Sequence, residues 1–207
     1  MLMKKLIIEF LGTFFLVLTI AMTGDPLAIA AMLMAWVYIG GFISGAHYNP
    51  AVSLAVTLRG KLSWIEAARY MAAQIAGGFS AFAMTAFLNG KVIMPAPGAA
   101  FTLQQALIVE VLLAFILAYV VLTVATSESF KNSQIFGFAI GFTIPALAIL
   151  GSPISGGLFN PAIAIGANLF GALKGMPIVL PHVIMYVGGA FLGGYLAAYA
   201  FRHFTVK

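Results

Sequence analysis

Ser44-Gly45-Ala46-His47-Tyr48-Asn49-Pro50-Ala51-Val52 returns 111 residues later as Ser155-Gly156-Gly157-Leu158-Phe159-Asn160-Pro161-Ala162-Ile163. In each copy a Ser-Gly turn leads to Asn-Pro-Ala and then to a short apolar run. Asn is a strong helix N-cap, and Pro is favoured at the first helical position because its missing N–H would be unpaired there anyway. Each copy therefore reads as a loop that becomes a helix at Asn-Pro. The runs end at Arg59-Gly60 and near Phe170-Gly171. Helices over 50–58 and 161–170 would be about 14 and 15 Å long at 1.5 Å per residue. Neither crosses the roughly 30 Å apolar core of a bilayer, yet end to end they nearly do.

The rest of the chain makes a bilayer the relevant solvent. Of 207 residues 63% are hydrophobic and 7% charged, against about 25% charged in a soluble domain. Too few charges remain to cover a water-facing surface, so the chain is read as an all-α integral membrane protein. It has no Cys, which excludes disulfides and thiol or cysteine-metal chemistry. The net charge of +5 is not a nucleic-acid signal here, because in a membrane protein its distribution over the loops carries the information. Lys4-Lys5 precede the first apolar run as in a signal peptide. No small-residue cleavage site follows and Glu9 interrupts the run, so a retained first helix is expected.

Six long apolar segments lie at roughly 4–23, 27–46, 63–88, 103–126, 134–151 and 180–203, each of a length that spans a bilayer. With the N-terminus inside and the six alternating, Lys4, Lys5, Arg59, Lys61, Arg69, Lys131, Arg202 and Lys207 fall inside, and Lys91 and Lys174 outside. That positive-inside bias places both termini in the cytoplasm and requires the two Asn-Pro-Ala segments to re-enter without crossing. The two parts of the chain also repeat. Ile7-Ile8-Glu9-Phe10-Leu11 parallels Ile108-Val109-Glu110-Val111-Leu112, with Phe14 and Leu16 returning as Phe115 and Leu117. One channel domain over 1–207 is expected, built of repeats at about 1–98 and 99–207. Three spanning helices per repeat invert the second copy, and inverted repeats with broken helices meeting at the midplane mark permeation sites.

The sequence resembles the aquaporin (major intrinsic protein) family along nearly its whole length. The residues that carry the resemblance are the Asn-Pro-Ala motifs at 49–51 and 160–162, Glu9 and Glu110, and Ser44-Gly45-Ala46-His47. Arg59-Gly60-Lys61-Leu62-Ser63-Trp64 with Ala73-Gln74, and Tyr186-Val187-Gly188-Gly189, match as well. The resemblance implies six transmembrane helices plus two re-entrant half-helices, a pore in each protomer of a homotetramer, and a plasma-membrane location. It implies passage of water or small neutral solutes, with no cofactor and no metal.

The residues support a channel independently. Each half-helix N-terminus carries about half a positive charge, and two facing each other at the bilayer centre repel cations. Asn49 and Asn160 can cap their helices through the amide oxygen and turn the NH2 into the pore as a donor. Irregular backbone before each Asn is tolerable only where it lines a watery path. Glu9 and Glu110 are carboxylates inside apolar helices, where such groups are costly and rarely idle. They act either as a proton relay or as acceptors bracing the re-entrant loops, and the repeat symmetry favours bracing. His47 is a packing residue of the pore loop or a pH gate, with packing the simpler reading. Gly77-Gly78, Gly188-Gly189, Gly193-Gly194 and Gly137-xxx-Gly141 read as close helix packing.

One departure from the family stands out. Most members have Arg after the second Asn-Pro-Ala; here the residue is Ile163. The resemblance places the other filter positions at Gly157, at Ala148, where water-selective members have His, and near Ile29. A filter of Ile29, Ala148, Gly157 and Ile163 has no charge and no aromatic ring, and it is expected to be wide. Glycerol, urea or neutral hydroxide-like acids would then pass, and one of two barriers to cations and protons is lost. An apolar ring that dewets and closes is the competing expectation. Two rivals of other classes are a secondary transporter on inverted repeats, which needs a titratable midplane group, and a non-conducting structural protein. No nucleophile elbow, phosphate loop or metal-ligand spacing points to an enzyme.

Overall fold

In a computed structural model that describes residues 2–130 and 133–204, the chain forms eight α-helices. They are α1 (Leu2–Thr23), α2 (Pro26–Gly40), α3 (Pro50–Leu58), α4 (Trp64–Asn89), α5 (Leu103–Thr126), α6 (Phe136–Gly151), α7 (Pro161–Leu173) and α8 (Leu180–Phe204). Lys131 and Lys207, two of the cations assigned above to the inner face, lie outside the described residues.

Two sequence boundaries need correction. The apolar segment 27–46 is helical only to Gly40, so α2, like α6, is a shorter apolar helix; among the described residues α1, α4, α5 and α8 are the helices long and apolar enough by themselves to cross a membrane. The residues that would have completed α2 instead turn out of it: Gly41 N–H reaches Val37 O and Ser44 N–H reaches Gly40 O. At the end of α6, Ser152 N–H to Ala148 O and Ser155 N–H to Gly151 O repeat this pattern. These turns deliver Ser44 and Ser155 into the loops before the two Asn-Pro-Ala motifs. The second half-helix, expected to stop near Phe170, continues to Leu173. Together α3 and α7 measure about 33 Å at 1.5 Å per residue.

The halves are inverted. One cavity at the surface is lined by Lys5 from the start of α1, Glu66 from the start of α4 and Ala125 to Glu128 at the end of α5. Helix α1 thus begins on the face where its counterpart α5 ends. The end of α8 joins the same face, since Arg59, just past α3, lies over the Phe201 ring with its guanidinium carbon 5.5 Å from the ring centre. Helix α1 packs on α4, and α5 packs on α8 in the same way. The half-helices cross over: α3, from the first half, packs on α8, and α7 packs on α4.

Paired glycines make both contacts possible. A Cβ on Gly77 would stand 2.5 Å from Phe10 O and one on Gly193 2.4 Å from Val111 O, so α4 and α8 meet α1 and α5 backbone to backbone. On the next residue of each helix, a Cβ on Gly78 would stand 2.5 Å from Ala162 O, and one on Gly194 2.6 Å from Ala51 O. The alanine of each Asn-Pro-Ala is therefore seated on a glycine of the opposite half. The outer surface carries large apolar side chains such as Phe42, Phe87, Ile149 and Leu173, while Glu9, Gln74 and Glu110 are buried, the distribution suited to a lipid solvent.

Gly78→Ala and Gly194→Ala are each expected to destabilise by about 1–3 kcal/mol through overpacking against a carbonyl that cannot retreat. Gly188→Ala, with nothing within 4 Å of its added carbon, is expected to be neutral. Apparent melting temperatures of the three purified variants in detergent check this.

Candidate functional site

Both loops carry the same backbone distortion. Gly45 and Gly156 lie at φ 94° and 92°, Ala46 and Gly157 at 54° and 63°, and Tyr48 and Phe159 at 50° and 33°. Three of these are non-glycine residues in the left-handed region, each costing about 1–3 kcal/mol unless the surroundings impose it. Buried carboxylates impose it. Glu9 Oε1 accepts from Ser44 Oγ at 2.6 Å and from His47 N–H at 3.0 Å, and Oε2 accepts from Tyr48 N–H at 2.8 Å. Glu110 does the same in the second half, accepting from Ser155 Oγ at 2.6 Å, Leu158 N–H at 3.0 Å and Phe159 N–H at 2.6 Å. The Tyr70 and Tyr186 hydroxyls donate to Ser44 O and Ser155 O. Left unpaired in a bilayer, such N–H groups cost several kcal/mol each.

So held, the loops aim two helix N-termini at each other. Asn49 Oδ1 accepts from Ala51 N–H at 2.8 Å and Asn160 Oδ1 from Ala162 N–H at 3.0 Å, each capping its own helix. The amide nitrogens differ from the sequence expectation. Asn49 Nδ2 donates to Phe159 O at 2.9 Å, and Asn160 Nδ2 donates to Tyr48 O at 3.0 Å. One hydrogen of each NH2 thus ties the two loops together across the midplane, and only the other is left for a passing solute. Nothing local in the sequence signals a bond between residues 110 positions apart.

A cavity of about 160 Å³ contains this centre. All four residues of the expected filter, Ile29, Ala148, Gly157 and Ile163, line it, as do Asn49, Asn160 and His47. Pro50, Ala51, Pro161 and Ala162, which follow the two Asn residues, are buried. The remaining wall is mostly apolar, with Leu16, Ile20, Leu33, Leu117, Ile140 and Ile144, and it includes no Lys, Arg, Asp or Glu. Glu9 and Glu110 stand outside it. Ile163 lies within a continuous space reaching from Gly24 and Ser152 past both Asn side chains. Among the described residues no three His, Asp or Glu lie together in a way that could hold a metal ion.

Sequence reasoning missed Ser53 as part of the site and noted Gln74 only through resemblance. Gln74 Nε2 donates to Glu9 Oε2 at 2.8 Å and to Ser53 Oγ at 2.9 Å, and Ser53 Oγ lies 3.0 Å from His47 Nδ1. The available signal was the break in repeat symmetry: where the first half has His47 and Ser53, the second has Leu158 and Ala164.

Two broken helices meeting head to head in a lipid-facing bundle, around an uncharged cavity, define a membrane protein of the pore-loop inverted-repeat class. The sequence profile of the major intrinsic protein family matches residues 22–201, and the chain belongs to that family. A glycerol uptake facilitator protein-like 6 of Lactiplantibacillus plantarum is 33% identical, the alignment covering 97% of each chain. The aquaporin NIP1-4 of Oryza sativa subsp. japonica is 32% identical over 96% of this chain and 76% of its own. In fold, the chain is similar to the aquaglyceroporin of Plasmodium falciparum, with a TM-score of 0.84 at 20% identity, covering 97% of this chain and 96% of that one.

Glu9→Gln and Glu110→Gln each replace a two-oxygen acceptor with one oxygen and an added donor facing backbone N–H groups. Each is expected to lower the apparent melting temperature and the yield of folded protein, by an amount corresponding to about 2–4 kcal/mol. Detergent melting curves beside the unmodified protein test this, and wild-type stability in either variant would remove the carboxylate from the loop's support.

Proposed function

We propose that the chain is a passive transmembrane channel for water and small neutral solutes of the size of glycerol, residing in the plasma membrane as a homotetramer with a pore in each protomer. The observation that carries this reading is the continuous uncharged cavity across the Asn49–Asn160 pair. The face bearing Lys5, Arg59, Lys61 and Arg202 is the cytoplasmic one. Asn49 and Asn160 each offer a passing hydroxyl or water one N–H, and the half-helix N-termini oppose cations. Glu9 and Glu110 brace the loops rather than relaying protons, in keeping with their position outside the lumen.

Ile29, Ala148, Gly157 and Ile163 form the outer filter. With Ile163 in place of a cation, the filter holds no fixed positive charge and does not demand that a solute shed its water into tight hydrogen bonds. Solutes with both CH and OH surfaces are therefore accommodated, and exclusion of cations rests on the two helix dipoles. Supporting this, a relative of nearly the same length is named a glycerol uptake facilitator-like protein. The transporter alternative needs a titratable group at the midplane, where this cavity has two amides.

Stopped-flow light scattering of proteoliposomes in sucrose, glycerol and urea gradients tests the proposal. Faster volume changes than in protein-free vesicles are expected in all three, and equal traces would rule the channel out. Ile163→Arg is expected to reduce glycerol permeability about tenfold relative to water, a barrier increase of about 1.4 kcal/mol. Asn160→Ala is expected to lower flux or admit ions.

A further inference from the structure

Toward the face that bears Lys5 and Lys61, the central cavity meets a second cavity at His47 and Val121. That vestibule is lined by Lys5, Lys61, Glu66, Tyr70 and Thr126, and the two spaces have only His47 and Val121 in common. At the pseudo-symmetric place in the other half stand Leu158 and Ile20, both in the wall of the central cavity, which continues past them to Gly24 and Ser152. The two mouths are therefore unequal: one is bordered by the apolar pair Leu158 and Ile20, and at the other an imidazole and a valine line both spaces.

The imidazole is held. Gln74 Nε2 donates both to Glu9 Oε2 and to Ser53 Oγ, so the Ser53 hydroxyl is already an acceptor and its own hydrogen is free for His47 Nδ1, 3.0 Å away. A ring that accepts at Nδ1 carries its proton on Nε2. The Tyr70 ring packs edge-on against the imidazole at 5.4 Å between centres. None of this exists in the second half, where Leu158, Ala164 and Ala190 occupy the places of His47, Ser53 and Gln74. Three buried polar side chains on one side only, joined to a carboxylate that already holds the loop, are an expensive arrangement in a bilayer if they merely fill space.

We infer that His47 and Val121 form the selectivity-determining waist of this channel, with His47 Nε2–H as its hydrogen-bond donor and Gln74 and Ser53 as the positioning residues that fix the ring. The inference rests on the channel reading. It moves size selection from the outer filter, where Ile163 leaves the cavity open, to the cytoplasmic end of the lumen.

The test uses the full chain in phosphatidylcholine vesicles, with water, glycerol and urea as probes. Val121→Ala and His47→Ala are expected to raise the glycerol-to-water permeability ratio about threefold or more, and Val121→Phe to cut glycerol flux about tenfold. Val121 variants leave the Glu9 network untouched, so they decide the matter even if His47→Ala does not fold. Wild-type permeabilities in both Val121 variants would overturn the waist while leaving the channel standing. Absence of flux in the unmodified protein would overturn the channel itself. For the ring, solid-state NMR of 15N-labelled protein is expected to show His47 protonated on Nε2, with the Nδ1-protonated form appearing in Ser53→Ala, the residue found at that place in the second half. A ring protonated on Nδ1 in the unmodified protein would overturn the positioning role of Ser53 and Gln74.

Discussion

Everything in this protein depends on one demand: backbone that is neither helix nor sheet must find hydrogen-bond partners without water, at the centre of a bilayer. Glu9 and Glu110 meet it, each gathering two loop N–H groups and a serine hydroxyl. A neutral side chain of that length has one acceptor oxygen where the loop presents three donors. The carboxylate is therefore the group that lets Tyr48 and Phe159 occupy left-handed backbone, which in turn points Asn49 and Asn160 at each other. The cost of burying each carboxyl group is offset by the three hydrogen bonds it accepts from its loop.

Much of this architecture is legible in the sequence, because capping chemistry is local. Asn-Pro gives both half-helix starts, and the structure begins α3 at Pro50 and α7 at Pro161. What misleads is apolar composition at helix ends. Phe42 and Ile43 extend the apolar character of α2, and Gly41 keeps helical φ and ψ, so the Gly40-Gly41 and Ser44-Gly45 turn signals are easily read as part of a longer span. Conversely, Gly171 looks like a stop and is not one; a Cβ there would meet Met94 Sδ at 2.2 Å, so that glycine serves packing, and the chain leaves the helix later, reaching positive φ at Gly175. Bonds that join the repeats, such as each Asn amide to the loop carbonyl opposite, depend on tertiary placement and have no local signature.

The site follows the same division. Ile29, Ala148, and the pair Gly157 and Ile163 come from three separate stretches of chain, yet all line one cavity, at the positions where the family resemblance places a filter. The polar line from Gln74 through Ser53 to His47 is harder to read, since each residue alone is an ordinary helix or loop residue. It becomes visible when the two halves are compared position by position and only one of them proves polar.

The seating of each Asn-Pro-Ala alanine on a glycine of the opposite half has a consequence for how the chain reaches its final form. Helix α3 rests on Gly194 of α8, which is made long after it, whereas α7 rests on Gly78 of α4, which precedes α7 in the chain. Until α8 is made, the first re-entrant loop lacks that seat and is held from within its own half, by Glu9, Gln74 and the Tyr70 hydroxyl among others. That order gives the richer polar network of the first half a second purpose: it holds the early loop until α8 arrives to close over it.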